Sequence, residues 1–126
     1  MSNERILWGV GTSRTIRPHW ALHELGLEFE LRPILPRTGE TKTAEFTALS
    51  ARQKIPLLQD NGLILTESAA IVTYLSDAYG QPHNRLIPTE PRTRASCRCA
   101  WLWADAAHNR QDRTQGSGPT LVGGEL

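Results

Sequence analysis

The sequence predicts an α/β domain on a mixed four-stranded sheet, a βαβ unit followed by a ββα unit, with the start of an all-helical second domain behind it. Three patterns carry that prediction. Residues 28–32 alternate, with Phe29 and Leu31 on one side and Glu28, Glu30 and Arg32 on the other, as in a half-buried strand. Two short apolar runs, Ile55 to Leu58 and Leu63 to Leu65, flank Asp60-Asn61-Gly62, and Asn-Gly supplies the positive φ angles of a tight hairpin. Ala69, Ile71, Val72 and Leu75 then recur at helical spacing, with Gly80 as a left-handed stop.

Residues 5–10 form a first strand that ends in Gly9-Val10-Gly11. The polar run Thr12-Ser13-Arg14-Thr15 is suited to capping a helix, because hydroxyl oxygens accept from the unpaired N–H groups of a first turn. Trp20, Ala21, Leu22 and Leu25 make the apolar stripe of that helix, and Gly26 ends it with Leu27 as the hydrophobic contact of the cap. Pro18 fits best in a first helical turn, which places the regular helix from about Arg17. A strand, a helix and a strand in this order make a right-handed parallel crossover. Pro36 to Lys42 is loop, and Thr43 to Leu49 holds a short helical turn with Phe46 and Leu49 inward. Beyond a Pro-rich polar linker, Thr89 is the expected cap of a helix with Pro91 near its first position. Ala95, Cys99, Leu102 and Ala106 share one face of that helix. After about His108 the apolar period is lost and breakers dominate, so residues 108–126 read as disordered.

The 126 residues carry a formal net charge of +1, so no general attraction to nucleic acid or to anionic membrane is implied. No apolar run approaches the length of a membrane span, and the first residues lack a secretory pattern, so a soluble cytoplasmic protein is expected. Cys97 and Cys99, one residue apart, suit neither a disulfide framework nor a complete zinc site. His19 and His23 have metal-ligand spacing on a helix but no placed third partner, so no metal is expected.

Three segments stand out in order: Ser13 followed by Arg17 and the helix ending WALHELGL; Lys54-Ile55-Pro56-Leu57-Leu58, close to the form K-V-P-x-L; and Leu65-Thr66-Glu67-Ser68-Ala69-Ala70-Ile71, of the form L-x-E-S-x-A-I. Together they resemble the N-terminal domain of cytosolic glutathione transferases, in a bacterial-type serine class. The resemblance implies a thioredoxin-like fold and a conjugation of glutathione, as co-substrate, to a small electrophile in detoxification. It implies a thioredoxin-like domain over residues 1–83, a linker over 84–90 and, over 91–107, the first helix of a helical domain that is cut short. A frame shift after about Ala107 would account for the change in pattern there. For full-length members the resemblance implies a homodimer.

The resemblance also assigns roles. Pro56 would follow a cis bond, turning the backbone N–H and C=O of Ile55 toward the cysteinyl part of glutathione; only an X-Pro bond makes cis inexpensive. Glu67 and Ser68 would hold the γ-glutamyl end, and the same residues also suit a plain helix start. Gln53 and Lys54, with Lys42 as a helper, would face the glycine carboxylate. Here Ser50-Ala51-Arg52-Gln53-Lys54 departs from the family's N-P-x-G-K, which alters the loop. Ser13 would be the activating hydroxyl, with Thr12 its rival by one residue of slip. A free thiol has a pKa of about 8.5, and a hydroxyl donating to sulfur stabilises the thiolate by roughly 1.5–3 kcal/mol. No tyrosine or cysteine stands in this loop, which disfavours tyrosine-type classes and disulfide exchange. A non-catalytic interaction module and a glutathione-dependent peroxidase or reductase are the alternatives.

Overall fold

A computed structural model describes residues 4–97, and the chain divides after Ile87 into two compact units. In the first unit, β1 (Arg5–Trp8), β2 (Glu30–Arg32), β3 (Leu57–Asp60) and β4 (Leu63–Thr66) form one four-stranded sheet in the order β2-β1-β3-β4. Its helices are α1 (Ser13–Glu24), α2 (Ala44–Leu49) and α3 (Ser68–Tyr79), with a 3-10 turn at Glu40–Lys42. β1 is parallel to β2 and antiparallel to β3, and β3 is antiparallel to β4. This is the expected βαβ-ββα order on a mixed sheet.

The sheet separates two apolar layers because side chains alternate along each strand. On one face Trp8 and Leu57 bury against Phe46 of α2, with Ile6, Ile34, Leu49 and Ile55 packed around them. The Trp8 and Phe46 rings lie tilted at 5.5 Å, and Trp8 Nε1 donates to Gln59 Oε1 at 2.6 Å. On the other face Leu7 and Leu58 are buried, as are Leu22 of α1 and Ile71 and Leu75 of α3. α1 and α3 pack side by side.

The helix boundaries correct two expectations. α1 starts at Ser13, not near Arg17, because Thr12 and Thr15 form a reciprocal capping box. Thr12 Oγ1 accepts from Thr15 N at 3.0 Å, and Thr15 Oγ1 accepts from Thr12 N at 3.1 Å. Pro18 therefore lies inside the helix, where its ring is fully buried and its missing N–H leaves the Arg14 carbonyl without the usual donor. Trp20 does not join the core. It is 63% exposed and donates to Glu24 Oε1 one turn on. The end of α1 is as expected: Gly26 has φ +70°, Leu27 N donates to Leu22 O and Gly26 N to His23 O, each at 3.0 Å. Gly80 is different. Its φ is −66°, so it is no left-handed stop, and it is small for another reason: a Cβ there would meet Ser76 O at 2.4 Å.

Phe29 is half-buried against the rings of His19 and His23 rather than lying within β2, which starts one residue later. The hairpin turn is Asn61-Gly62, with φ +50° and +96°. Ile87 anchors the end of the first unit. It is 1% exposed, and its N–H donates to Ser76 Oγ at 3.1 Å.

In the second unit residues 91–97 are helical. Glu90, not Thr89, caps this helix: its carboxylate accepts from Thr93 N at 2.8 Å and Arg92 N at 3.1 Å. The Thr93 hydrogen bonds, then that of Arg92, hold its carboxyl below the usual glutamate value. The expected helical face through Cys99, Leu102 and Ala106, and the disordered stretch 108–126, lie outside the described residues.

At the end of the sheet away from α1's start, a buried polar cluster joins three elements. Arg5 and Asp60 face each other across β1 and β3, with side chains 3% and 1% exposed. Arg5 Nε is 3.2 Å from Asp60 Oδ1, an ionic contact without hydrogen-bond alignment, and Arg5 Nη1 donates to Glu28 O at 2.8 Å. Tyr74 and Tyr79 of α3 each donate to Asp60 Oδ2 at 2.6 Å, and the Arg5 guanidinium lies 4.7 Å over the Tyr79 ring. Burial, and after it the bond to Asp60, holds the Tyr74 hydroxyl well above the usual tyrosine range, so it stays a donor. Breaking a buried pair by removing one partner leaves an uncompensated charge. Asp60→Ala is therefore expected to lose about 3–5 kcal/mol of unfolding free energy, and Tyr79→Phe about 1 kcal/mol. Urea titration followed by circular dichroism checks both, and an Asp60→Ala loss below about 1 kcal/mol would contradict the structural role.

Candidate active site

Register brings the three motif segments to one place. Trp8, Leu57 and Thr66 are direct neighbours across β1, β3 and β4 at one edge of the sheet. The chain leaving β1, entering β3 and leaving β4 thus meets just beyond that edge. These stretches hold Gly9 to Ser13, Gln53 to Pro56, and Glu67 with Ser68. α1 and α3 both begin there, so two sets of helix N–H groups point to the same end.

The approach of the first two stretches is tight. Gly9 has φ +114°, and a Cβ on it would lie 2.6 Å from Ile55 Cβ. No side chain fits at Gly9 without displacing the loop that carries Ile55. The Ile55–Pro56 bond is cis. Neither the N–H nor the C=O of Ile55 has a backbone partner among the described residues.

The structure separates the two candidate hydroxyls. Thr12 is the N-cap of α1, and its oxygen is taken up by the capping box. Ser13 is the first helical residue and is exposed. Capping is the local reason that the second hydroxyl is not needed for helix initiation.

The Ser50–Lys54 loop keeps a turn despite its unusual residues. Ser50 is buried, Gln53 N donates to Ser50 O at 2.9 Å, and Lys54 N donates to Ser50 Oγ at 3.3 Å. Gln53 stands where the family's pattern has glycine, and it adopts φ +55°. A left-handed backbone conformation thus stands there on a non-glycine residue. Its side-chain amide donates to Thr47 Oγ1 at 3.1 Å, which ties the loop to α2. Lys54 and Lys42 are both exposed, and neither makes an ion pair among the described residues. Lys42 sits on the 3-10 turn before α2.

Glu67 carries backbone strain. Its φ of +74° and ψ of 116° lie outside the regions an L-residue prefers. Its exposed carboxylate is 3.8 Å from Arg52 Nη1. Ser68, the first residue of α3, is buried, and Arg17 Nη1 reaches its Oγ at 3.5 Å. Sequence reasoning used Arg17 only as a motif residue and missed Arg52. Spacing along α1 alone did not show that Arg17 spans to α3. Among the described residues, no group of three or more His, Cys, Asp or Glu is arranged to hold a metal ion, and no helix is long and apolar enough to cross a membrane.

Residues 4–77 match the family model described as "Glutathione S-transferase, N-terminal domain". The chain belongs to the glutathione S-transferase family. It is 39% identical over 71 residues to Glutathione S-transferase D7 of Drosophila melanogaster, covering 56% of this chain and 32% of that one. It is 34% identical over 98 residues to Protein LigF of Sphingobium sp., covering 78% of this chain and 38% of that one. The solved structure of the β-etherase LigF superposes with a TM-score of 0.74 at 32% identity, over 80% of this chain and 42% of that chain. A delta-class glutathione transferase of Nilaparvata lugens gives 0.66 at 35% identity, over 72% of this chain and 43% of that one. The chain thus spans less than half the length of these relatives. Its four-stranded thioredoxin-like domain is the glutathione S-transferase N-terminal fold.

The strain at Glu67 gives a direct test of how this glutathione S-transferase domain is built. Glycine adopts such backbone angles freely and serves almost as well as an N-cap. Glu67→Gly is expected to raise ligand-free stability by about 1 kcal/mol. Thr12→Ala should lower it by about 1 kcal/mol. Thermal unfolding of both variants beside the wild type measures each effect.

Proposed function

We propose that this chain is the glutathione-binding part of a glutathione transferase, in which Ser13 activates the thiol for attack on an electrophile. The supporting observation is the meeting of three segments at one sheet edge: an exposed hydroxyl at the start of α1, the cis Ile55–Pro56 bond, and Glu67-Ser68 at the start of α3. In this arrangement the Ile55 N–H and C=O pair with the cysteinyl backbone. The γ-glutamyl ammonium lies by Glu67, and Ser68 with the α3 amides takes its carboxylate. Gln53 and Lys54 face the glycine carboxylate, with Lys42 as an outlying helper. Residues 1–83 form the binding domain, 84–90 the linker, and the helix from 91 opens a helical domain. A cytoplasmic setting, a homodimer and a role in detoxification belong to the same proposal.

The chemistry is one displacement or addition. Ser13 donates its hydroxyl hydrogen to the sulfur, the thiol proton leaves to solvent, and the thiolate lone pair forms a C–S bond at the electrophilic carbon. The kinship with a β-etherase widens the electrophile class to ethers, where the bond broken would be C–O and an alkoxide or aryloxide would leave. A second reading, a non-catalytic interaction module, is favoured by the exposed Ile16 and Trp20 on α1, 54% and 63% accessible. A peroxidase or reductase reading has no such support.

Millimolar glutathione should raise the melting temperature of the chain, and a folded sample with no shift would overturn binding. Ser13→Ala should keep that shift while raising the pKa of the bound thiol by about 1–2 units. The thiol is active only as thiolate. Turnover falls as pH drops through the bound pKa, and the variant's profile should move to higher pH by the same amount. Thiolate absorbance in the ultraviolet, followed against pH, reads this directly, and an unchanged value removes Ser13 from the mechanism. Glutathione binding without turnover, together with concentration-dependent association, would select the interaction module.

A further inference from the structure

His19 and His23 stand one turn apart on α1, about 9 and 15 Å along the helix axis from Ser13. They take no part in the site described above. Their rings lie 4.9 Å apart, and each also meets the Phe29 ring edgewise, at 5.4 and 5.5 Å. Phe29 precedes β2, so both imidazoles are supported from outside their own helix. His19 is half-buried and His23 is exposed. Among the described residues, neither imidazole has a hydrogen-bond or ionic partner; their contacts are with each other and with Phe29.

The spacing of the two histidines was visible in the sequence, and the lack of a third side chain argues against a closed structural zinc site. What the structure adds is the separation of the rings. An imidazole nitrogen lies about 1.1 Å from its ring centre and binds a borderline metal at about 2.0–2.1 Å. An ion held by one nitrogen of each ring is then about 3.2 Å from both centres. Centres 4.9 Å apart subtend about 100° at such an ion. That angle falls between the right angle of square or octahedral coordination and the tetrahedral angle. Rotation about χ2 turns each ring about an axis close to its own centre, so the nitrogens can be re-aimed while the separation holds. Neutral imidazole is a ligand suited to nickel, copper and zinc. Two imidazoles on one helix make the second bond intramolecular, which strengthens binding by about a hundredfold to ten-thousandfold over a single histidine. Glu24 and Glu28, both exposed, bring acidic charge to the same end of α1.

We propose that His19 and His23 bind one divalent transition ion of the nickel, copper and zinc group, with water filling its remaining positions. The ion staples the C-terminal half of α1 across one turn.

The test uses the full chain carrying Cys97→Ser and Cys99→Ser, so that thiols do not compete for metal, and no glutathione. Calorimetry with nickel(II) should find one ion per chain. His19→Gln and His23→Gln should each weaken it by about a hundredfold or more. His83→Gln, which removes an exposed histidine outside α1, should change it less than about twofold. Copper(II) should bind more tightly than nickel(II), and calcium, which prefers oxygen ligands, should not bind. Nickel(II) should also raise the melting temperature, a chelator should reverse the rise, and either α1 variant should abolish it. In the chain with all its histidines, paramagnetic nickel(II) should broaden the imidazole proton signals of His19 and His23 before those of His83, which tests the site without relying on how the variants fold. No bound nickel, or broadening that begins at His83, overturns the proposal. So does an affinity within about threefold of the parent in both α1 variants, which would mark an adventitious ion only. No arm uses glutathione, so the result stands apart from the glutathione reading.

Discussion

The antiparallel pairing of β1 with β3 holds this domain together. It joins two halves that are some fifty residues apart in the chain, Arg5 to Trp8 on one side and Leu57 to Asp60 on the other. Both ends of that pairing are specified. At one end the ion pair of Arg5 with Asp60 is enclosed by Tyr74 and Tyr79. At the other the bare backbone of Gly9 admits Ile55. A slip of one residue would turn Asp60 and Leu58 over to the layer of Phe46, away from Arg5, Tyr74 and Tyr79, so register and charge placement support each other. The meeting of the three site segments follows from this register, since each leaves or enters the sheet at Trp8, Leu57 or Thr66.

Most of the fold was legible because its signals are local. The Asn61-Gly62 turn, the alternation around Leu31, the Gly26 stop and the buried Phe46 are each written within a few neighbouring residues. The misreadings share a cause. Pro18 suggested a late helix start, but the Thr12–Thr15 box, a reciprocal pair three residues apart, decided it earlier. Trp20 was placed in the core by hydrophobicity, yet its indole N–H found Glu24 at the surface. Gly80 was given a left-handed role, when what mattered was the space beside Ser76 O. Each turns on geometry that composition does not carry.

The candidate site was legible as motifs and not as contacts. Ser13, Ile55-Pro56 and Glu67-Ser68 were identifiable in sequence because they recur as short segments in a family. The links that join them are long-range: Arg17 to Ser68 crosses 51 positions. Arg52 to Glu67 likewise required side chains in space. The Ser50–Lys54 loop is the instructive middle case. Its residues differ from the family pattern, and Gln53 holds a positive φ at the position where that pattern has glycine.

The two ends of the sheet are built from different materials. At the end of Asp60, an ion pair and two phenols, one of them also lying under the Arg5 guanidinium, lock three elements through side chains. At the end of Ser13, the chain relies on backbone angles, a missing Cβ and single hydroxyls. One end of the sheet is thus held by side-chain charge kept out of water, and the other by the shape of the backbone itself.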